Sequence, residues 1–431
     1  HKMSFISNSI KEQFKKRKYF FESLFWGTLA GILSQGLNFI ANILIARILG
    51  KQLLGEYTLF ISANAGLHTF GVIGLNVIAT VLVAKYLHDK GKIGRLIPAI
   101  YIIVCSASLI VSFVGIILQY LPVEFKIWET SSILTLIAAI IWFLTSALDL
   151  VQIAILLGFK AFKDVAKVSL LKGIISIAIT YTLVAKHGVQ GGVLGNSISF
   201  ILSLICNYYF IRKNCQKYTI TLTWKLSNSV YSEIFKLSIP IFSAAIFVAP
   251  AQWYANYIIY NTQGGENALS IFAIAYQWLV LIQFFPTQIS RVALPWLTSM
   301  QETRDYKNTE KLGLYFSLGI ATVIVILSLI FSHFIIEDLY HFEYITSHVV
   351  FKIILFTGLL STINLYLGQT IIAHGETWIR TIADAAIAIT LIITVHIINQ
   401  HEVIYALPIS YFFSFLMGTI VLCIFKYKLK I

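Results

Sequence analysis

The 431-residue chain is 58% hydrophobic, has a mean hydropathy of +0.81 and carries only 12% charged residues. That balance excludes an ordinary soluble domain and points to a bundle of membrane-spanning helices. The formal net charge is +13, but the basic residues sit in short loops between apolar runs, which argues against a nucleic-acid-binding face.

His1 and Lys2 precede Met3 and read as an appended remnant, and no cleavable signal peptide is evident. Lys11, Lys15, Lys16, Arg17 and Lys18, with Ile10, Phe14 and Phe21 between them, form a basic N-terminal stretch. It is either a short amphipathic helix on the anionic inner leaflet or a plain tail that fixes topology.

Twelve apolar spans follow, at 23–49, 57–84, 96–121, 132–158, 168–186, 190–211, 235–261, 268–300, 312–336, 348–373, 377–398 and 403–425. The expected plan is all-α. A tail (1–22) leads to a six-helix bundle (23–211), a linker (212–234), a second six-helix bundle (235–425) and a short tail (426–431). An even number of spans per half gives both halves one orientation, so a repeat would be parallel, about a pseudo-twofold along the membrane normal. With the N-terminus placed inside, 26 of the 32 Lys and Arg fall in inner segments and only Lys51, Lys126 and Lys186 in outer loops. The positive-inside rule then places both termini in the cytoplasm.

Span 1 carries Gly27, Gly31, Ser34, Gln35, Asn38 and Asn42 on one face. Two readings stay open: small residues and amides that lock helices together, or amides that line a hydrophilic path. Span 2 has Asn64, His68 and Gly71 along one edge. His68 is a candidate for titration in a transport cycle, or a neutral interior histidine. Span 4 places Asp149 in a polar arc with Thr135, Trp142, Thr145, Ser146 and Gln152. Asp149 reads as an isolated intramembrane carboxylate, suited to a coupling ion or proton, to pairing with Arg291, or to simple neutralisation of a neighbouring cation. Span 7 contains Pro240 and Pro250, which permit a bend.

Span 8 is the most informative. Gln277, Gln283, Thr287, Arg291 and Thr298 share about 120° of its circumference, opposite an apolar face. A charge inside a span is costly, so Arg291 is expected to face a cavity, or else to snorkel. Lys352, near the start of span 10, either snorkels outward or adds a second positive charge. Arg380 and Asp384 in span 11 are four apart and are expected to pair. Cys105, Cys206, Cys215 and Cys423 have no metal-like spacing and read as small apolar residues. No nucleotide-binding loop or His-Glu-x-x-His motif is present, and no loop is large enough to carry a catalytic domain, so the chain is not expected to be an enzyme.

Residues 36–57, Gly-Leu-Asn-Phe-Ile-Ala-Asn-Ile-Leu-Ile-Ala-Arg-Ile-Leu-Gly-Lys-Gln-Leu-Leu-Gly-Glu-Tyr, resemble the first hairpin of polysaccharide-exporting flippases. Gly74-Leu75-Asn76, Ala84-Lys85-Tyr86 and Arg291-Val292-Ala293-Leu294-Pro295 are similar to the same family's spans 2 and 8. The chain thus resembles Wzx-type O-antigen flippases of the multidrug/oligosaccharidyl-lipid/polysaccharide superfamily. The resemblance implies a MATE-like fold of two bundles around a central cavity, in a bacterial inner membrane. It implies that an undecaprenyl-diphosphate-linked oligosaccharide moves to the periplasmic leaflet, driven by H+ or Na+, with no other cofactor. It implies cationic contacts to the diphosphate, for which Arg291, Lys352 and Arg47 qualify; on this reading Asn38, Asn42, Gln283 and Thr287 are expected to meet the sugars, and Asp149 and His68 to couple the ion. Expected partners are membrane lipids, a polysaccharide polymerase and chain-length proteins. The rival readings are a cation-coupled multidrug exporter, a non-transporting scaffold of a polysaccharide-synthesis complex, and a peptidoglycan-precursor flippase, whose two extra spans are missing here.

Overall fold

A computed structural model gives the fold. It describes residues 2–120, 127–128, 130, 132–224, 227–300, 306–340, 345–374 and 376–429; of residues 2–25, 28, 289–300, 306–309, 345–346, 373 and 429 it describes the backbone alone. Helices α1 (Lys2–Val72), α2 (Leu75–Lys85), α3 (Lys90–Tyr120), α4 (Ile133–Gly158), α5 (Phe162–Lys217) and α6 (Asn228–Tyr260) are followed by α7 (Gly265–Met300), α8 (Tyr306–Ile330), a π-helical turn (Phe334–Leu339), α9 (Ile345–Ala373), α10 (Thr377–Asn399) and α11 (Val403–Leu429). No strand occurs among the described residues. Ten of the described helices are long and apolar enough to cross a bilayer.

Two of those ten are double. Gly50 (φ 65°, ψ −170°) interrupts α1, and Gly188 (φ 56°, ψ −134°) interrupts α5. A side chain at such φ/ψ would clash with its own backbone, so glycine is the residue that lets the chain reverse there. Counting each limb separately turns ten crossings into the expected twelve. The break after span 1 is tighter than the sequence suggests, because the second limb of α1 resumes at once rather than at residue 57. Span 2 is itself broken at Ile73 and Gly74, which both have positive φ, and continues as α2. The linker is also shorter than expected. α5 runs on to Lys217 and α6 starts at Asn228, so much of 212–234 is helical.

Lipid tails are as apolar as leucine, so close packing rather than water exclusion must hold such helices together. Small residues mark the tightest seams. A Cβ on Gly158 of α4 would stand 2.6 Å from Val83 Cβ and 3.0 Å from the Thr80 carbonyl oxygen of α2. A Cβ on Gly173 would stand 2.3 Å from Leu37 Cδ1. Gly158→Ala is therefore expected to destabilise the protein by about 1–3 kcal/mol, read as a lower thermal midpoint in detergent; an unchanged midpoint would mean that α2 and α4 yield at this seam.

One apolar core joins α2, α3, α4 and the start of α6 through residues such as Leu82, Ile97, Ile155 and Ile234. A larger one runs from Ile45, Leu54 and Phe60 of α1 through Ala255 of α6 and Leu269 of α7 to Leu391 of α10 and Leu407 of α11. The early and late parts of the chain thus meet along α1, α6 and α7.

Candidate functional site

At that meeting line lies a cavity of about 260 Å³. The first limb of α1 supplies Gln35, Asn38, Phe39 and Asn42, and the second limb Tyr57, Thr58 and Ser62. α6 adds Gln252 and Asn256, α7 adds Phe272, Tyr276, Gln277 and Phe284, and α11 adds Tyr411. Six carboxamides and six aromatic rings therefore share one space, and none of the described lining residues carries a charge.

The lining is pre-arranged. Tyr340 OH donates to Gln277 Oε1 at 2.9 Å, and Asn196 Nδ2 donates to Tyr57 OH at 2.7 Å. Phe272, Tyr276 and Tyr411 form a cluster, with the Phe272 and Tyr411 ring centroids 4.9 Å apart. Asn256 is 5% exposed and its Oδ1 accepts no hydrogen bond. A buried acceptor left open costs about 1–3 kcal/mol unless a water or ligand donor fills it. Chemically such a lining suits a ligand with a weakly polar face and several hydroxyls. The rings offer negative π-faces to polarised C–H bonds. The carboxamides both donate and accept.

One end of the cavity is shut where the Gly50 break of α1 meets the start of α7. Ser270 Oγ donates to the Lys51 carbonyl oxygen across this contact. A Cβ on Gly55 would stand only 2.3 Å from the Glu266 carbonyl oxygen. Toward the other end a polar clasp ties α2 and α3 to α6. Lys85 Nζ lies 2.8 Å and Lys92 Nζ 4.0 Å from Glu233 carboxylate oxygens, and Tyr86 OH donates to Glu233 Oε1 at 2.5 Å.

Asn38 and Asn42 line the cavity, beside Gln35 and Gln277. Gln283 and Thr287 lie on α7 but not in the lining; Thr287 Oγ1 donates to the Gln283 carbonyl oxygen at 2.7 Å. Arg47 and Lys352 are both exposed and absent from the lining. Five residues separate Arg47 from Asn42, which turns it about 140° away from the amide face. Arg291 lies on α7 with its side chain outside the described residues.

Asp149 is not the unpaired carboxylate that its span suggests. It is 2% exposed, with Lys172 Nζ 2.7 Å from Oδ2, Ser203 Oγ donating to Oδ1 at 2.5 Å and Asn207 Nδ2 donating to Oδ1 at 2.8 Å. Lys172, within the expected span 168–186, is ten residues into α5 and also stands 3.6 Å from the centre of the Phe200 ring. His68 Nε2 is 2.7 Å from Ser146 Oγ, and its ring stacks on Phe143. Neither Asp149 nor His68 lines the cavity. Arg380 and Asp384 do pair, at 2.7 Å, and Arg380 Nη1 also donates to Asn364.

Gln252, Asn256, Tyr276 and Tyr411 escape a reading of the sequence. Gln252 and Asn256 did leave a signal: two carboxamides four apart inside an apolar span share one face, a costly placement that implies a polar partner. The two tyrosines are indistinguishable from interface-belt residues until their neighbours are known.

Known proteins bear on this site. A family model described as polysaccharide biosynthesis protein matches residues 20–301. The EPS I polysaccharide export inner membrane protein EpsE of Ralstonia nicotianae is 24% identical over 166 residues, 38% of each chain. The capsular polysaccharide biosynthesis protein CapF of Staphylococcus aureus is 28% identical over 209 residues, 47% of this chain and 52% of that one. The matched regions thus span 38% to 52% of these relatives' length. The lipid II flippase MurJ in an inward closed conformation superposes with a TM-score of 0.71 at 16% identity, covering 94% of this chain and 87% of that one. An inward-facing multidrug resistance MATE family transporter of the MOP superfamily gives 0.68 at 14% identity, covering 93% and 95%. The fold is accordingly an all-α, polytopic, MATE-like membrane fold. With the family model spanning well over half of its length, the chain belongs to the polysaccharide biosynthesis protein family.

Proposed function

We propose that the protein is a flippase for lipid-linked oligosaccharides in a bacterial inner membrane. It moves an undecaprenyl-diphosphate-linked repeat unit from the cytoplasmic to the periplasmic leaflet by alternating access. The carrying observation is the aromatic- and amide-lined cavity between the early and late helices, uncharged among its described residues. Sugars fit such a lining because their hydroxyls both donate and accept while their ring faces are weakly apolar. The volume of 260 Å³ falls below the ~300–1,000 Å³ of typical ligand pockets. As it stands the cavity holds one or two sugar rings, and a whole repeat unit enters only when the halves part.

The diphosphate needs a cation, and the described lining offers none. Arg291 is assigned that role. It lies seven residues beyond Phe284 on α7, two turns and about 10 Å along the same face. Arg47 and Lys352 keep at most a secondary part, on the surface. If H+ or Na+ drives the cycle through Asp149, the ion must replace Lys172 as its partner, with His68 and Ser146 one turn away on the neighbouring surface.

The multidrug-exporter reading ranks second. A cationic drug calls for a carboxylate in the cavity, and none of the described lining residues is one. Substituting Asn38 and Asn256 together by leucine removes two hydrogen-bond partners worth about 1 kcal/mol each. Surface polysaccharide should fall roughly tenfold or more, while the variant still inserts. Undiminished polysaccharide would remove the cavity from the transport path, and increased drug susceptibility in its place would favour the exporter.

A further inference from the structure

We infer that His333, Glu337 and His348 form a binding site for a divalent transition-metal ion, with Zn2+ as the expected occupant. The site lies at the junction of α8 and α9, away from the cavity, and does not depend on the flippase reading. Residue His333 directly precedes the π-helical turn, Glu337 lies within it, and His348 lies in the first turn of α9. His333 Nδ1 is 3.0 Å and His348 Nε2 is 3.1 Å from the same oxygen, Glu337 Oε1. The three potential ligand atoms lie within 4.8 Å of one another.

Those separations suit a metal centre. Ligands about 2.0–2.2 Å from a tetrahedral Zn2+ stand roughly 3.3 Å apart, so small side-chain rotations suffice to close the shell. Two imidazole nitrogens and one carboxylate oxygen form a borderline donor set that favours Zn2+, Cu2+ or Ni2+ over Mg2+ and Ca2+. Three protein ligands also leave a fourth position for water.

The backbone holds the set in place from both sides. The π-helical turn is closed by Tyr340 N donating to the Ile335 carbonyl oxygen at 3.2 Å, an i+5 bond of the kind that recurs at functional sites. Ile335, Ile336 and Tyr340 are buried in the same core as Val350 and Phe351 of α9, so both walls of the site are anchored. Access is open: the His333 side chain is 77% exposed, and those of Glu337 and His348 are 36% and 21% exposed. The Lys/Arg census puts this junction on the outer face, where a metal ion arrives from outside the cell. Bound there, the ion fastens the end of α8 to the start of α9.

The test uses the purified full-length protein in detergent at neutral pH. Competition against a chromogenic zinc chelator, with ZnCl2 as the probe and MgCl2 as control, should show one protein-bound equivalent. Thermal unfolding should move upward with Zn2+ and not with Mg2+. His348→Gln and Glu337→Gln should each lose that equivalent and the thermal shift, while keeping the metal-free unfolding midpoint. If both variants bind as much Zn2+ as the parent, the ion sits elsewhere and the assignment falls; it falls equally if the parent does not compete with the chelator.

Discussion

Lys172→Met should destabilise the protein by about 3–5 kcal/mol, because it strands a buried carboxylate without its cation. Asp149 is 2% exposed and, among the described residues, forms its ion pair with Lys172, at 2.7 Å. Ser203 and Asn207 would still donate to Oδ1, but two neutral hydrogen bonds do not replace a full charge at low dielectric. The sign of the effect is tested by adding Asp149→Asn. Removing both charges should recover most of the loss, since a buried ion pair contributes little beyond cancelling its own desolvation. Thermal unfolding of the single and double variants in detergent measures this directly. A single variant as stable as the parent would show that Asp149 readily loses its charge or finds water. The same pair of variants separates structure from coupling. If transport stops in the double variant although its stability is recovered, the Asp149–Lys172 pair belongs to the ion pathway.

Arg291→Ala is expected to abolish export of surface polysaccharide while the protein still reaches the membrane. A guanidinium grips a phosphate through two parallel, charge-assisted hydrogen bonds of about 1.5–3 kcal/mol each. Losing them costs roughly 3 kcal/mol or more, and so about a hundredfold in affinity for the diphosphate. Arg291→Lys keeps the charge but not the fork, so it should fall between the parent and the alanine variant. Polysaccharide on intact cells, normalised to protein in the membrane fraction, is the readout. Full export in the alanine variant would move the diphosphate site away from α7 and leave the cavity assignment to stand on its sugar contacts alone.

The two variants probe residues of very different legibility. Arg291 stands out in one dimension, since a lone cation between Pro286 and Pro295 in an apolar run is conspicuous from composition alone. Lys172 does not. It follows a cluster of loop lysines and is separated from Asp149 by 23 residues, so only the packing of α5 on α4 shows that the two charges meet. For the same reason a carboxylate that looked available proved to be held. Arg380 and Asp384 were readable as a pair because four residues bring them together on one helix, whatever the tertiary fold.

The amino-acid sequence alone determined the class of molecule, the twelve crossings, the polar stripes of spans 1 and 8, and the family resemblance. These are properties of local hydropathy, helical period and short motifs, which depend on neighbours in the chain. Tertiary structure alone decided that Asn38 and Asn42 share a cavity with Asn256, Tyr276 and Tyr411, that Arg47 and Lys352 lie outside it, and that His333, Glu337 and His348 converge. Each of those facts depends on how one helix is rotated and placed against another. That rotation is set by close packing summed over many small contacts, such as Gly158 on Val83 and Gly173 on Leu37. No single residue encodes it.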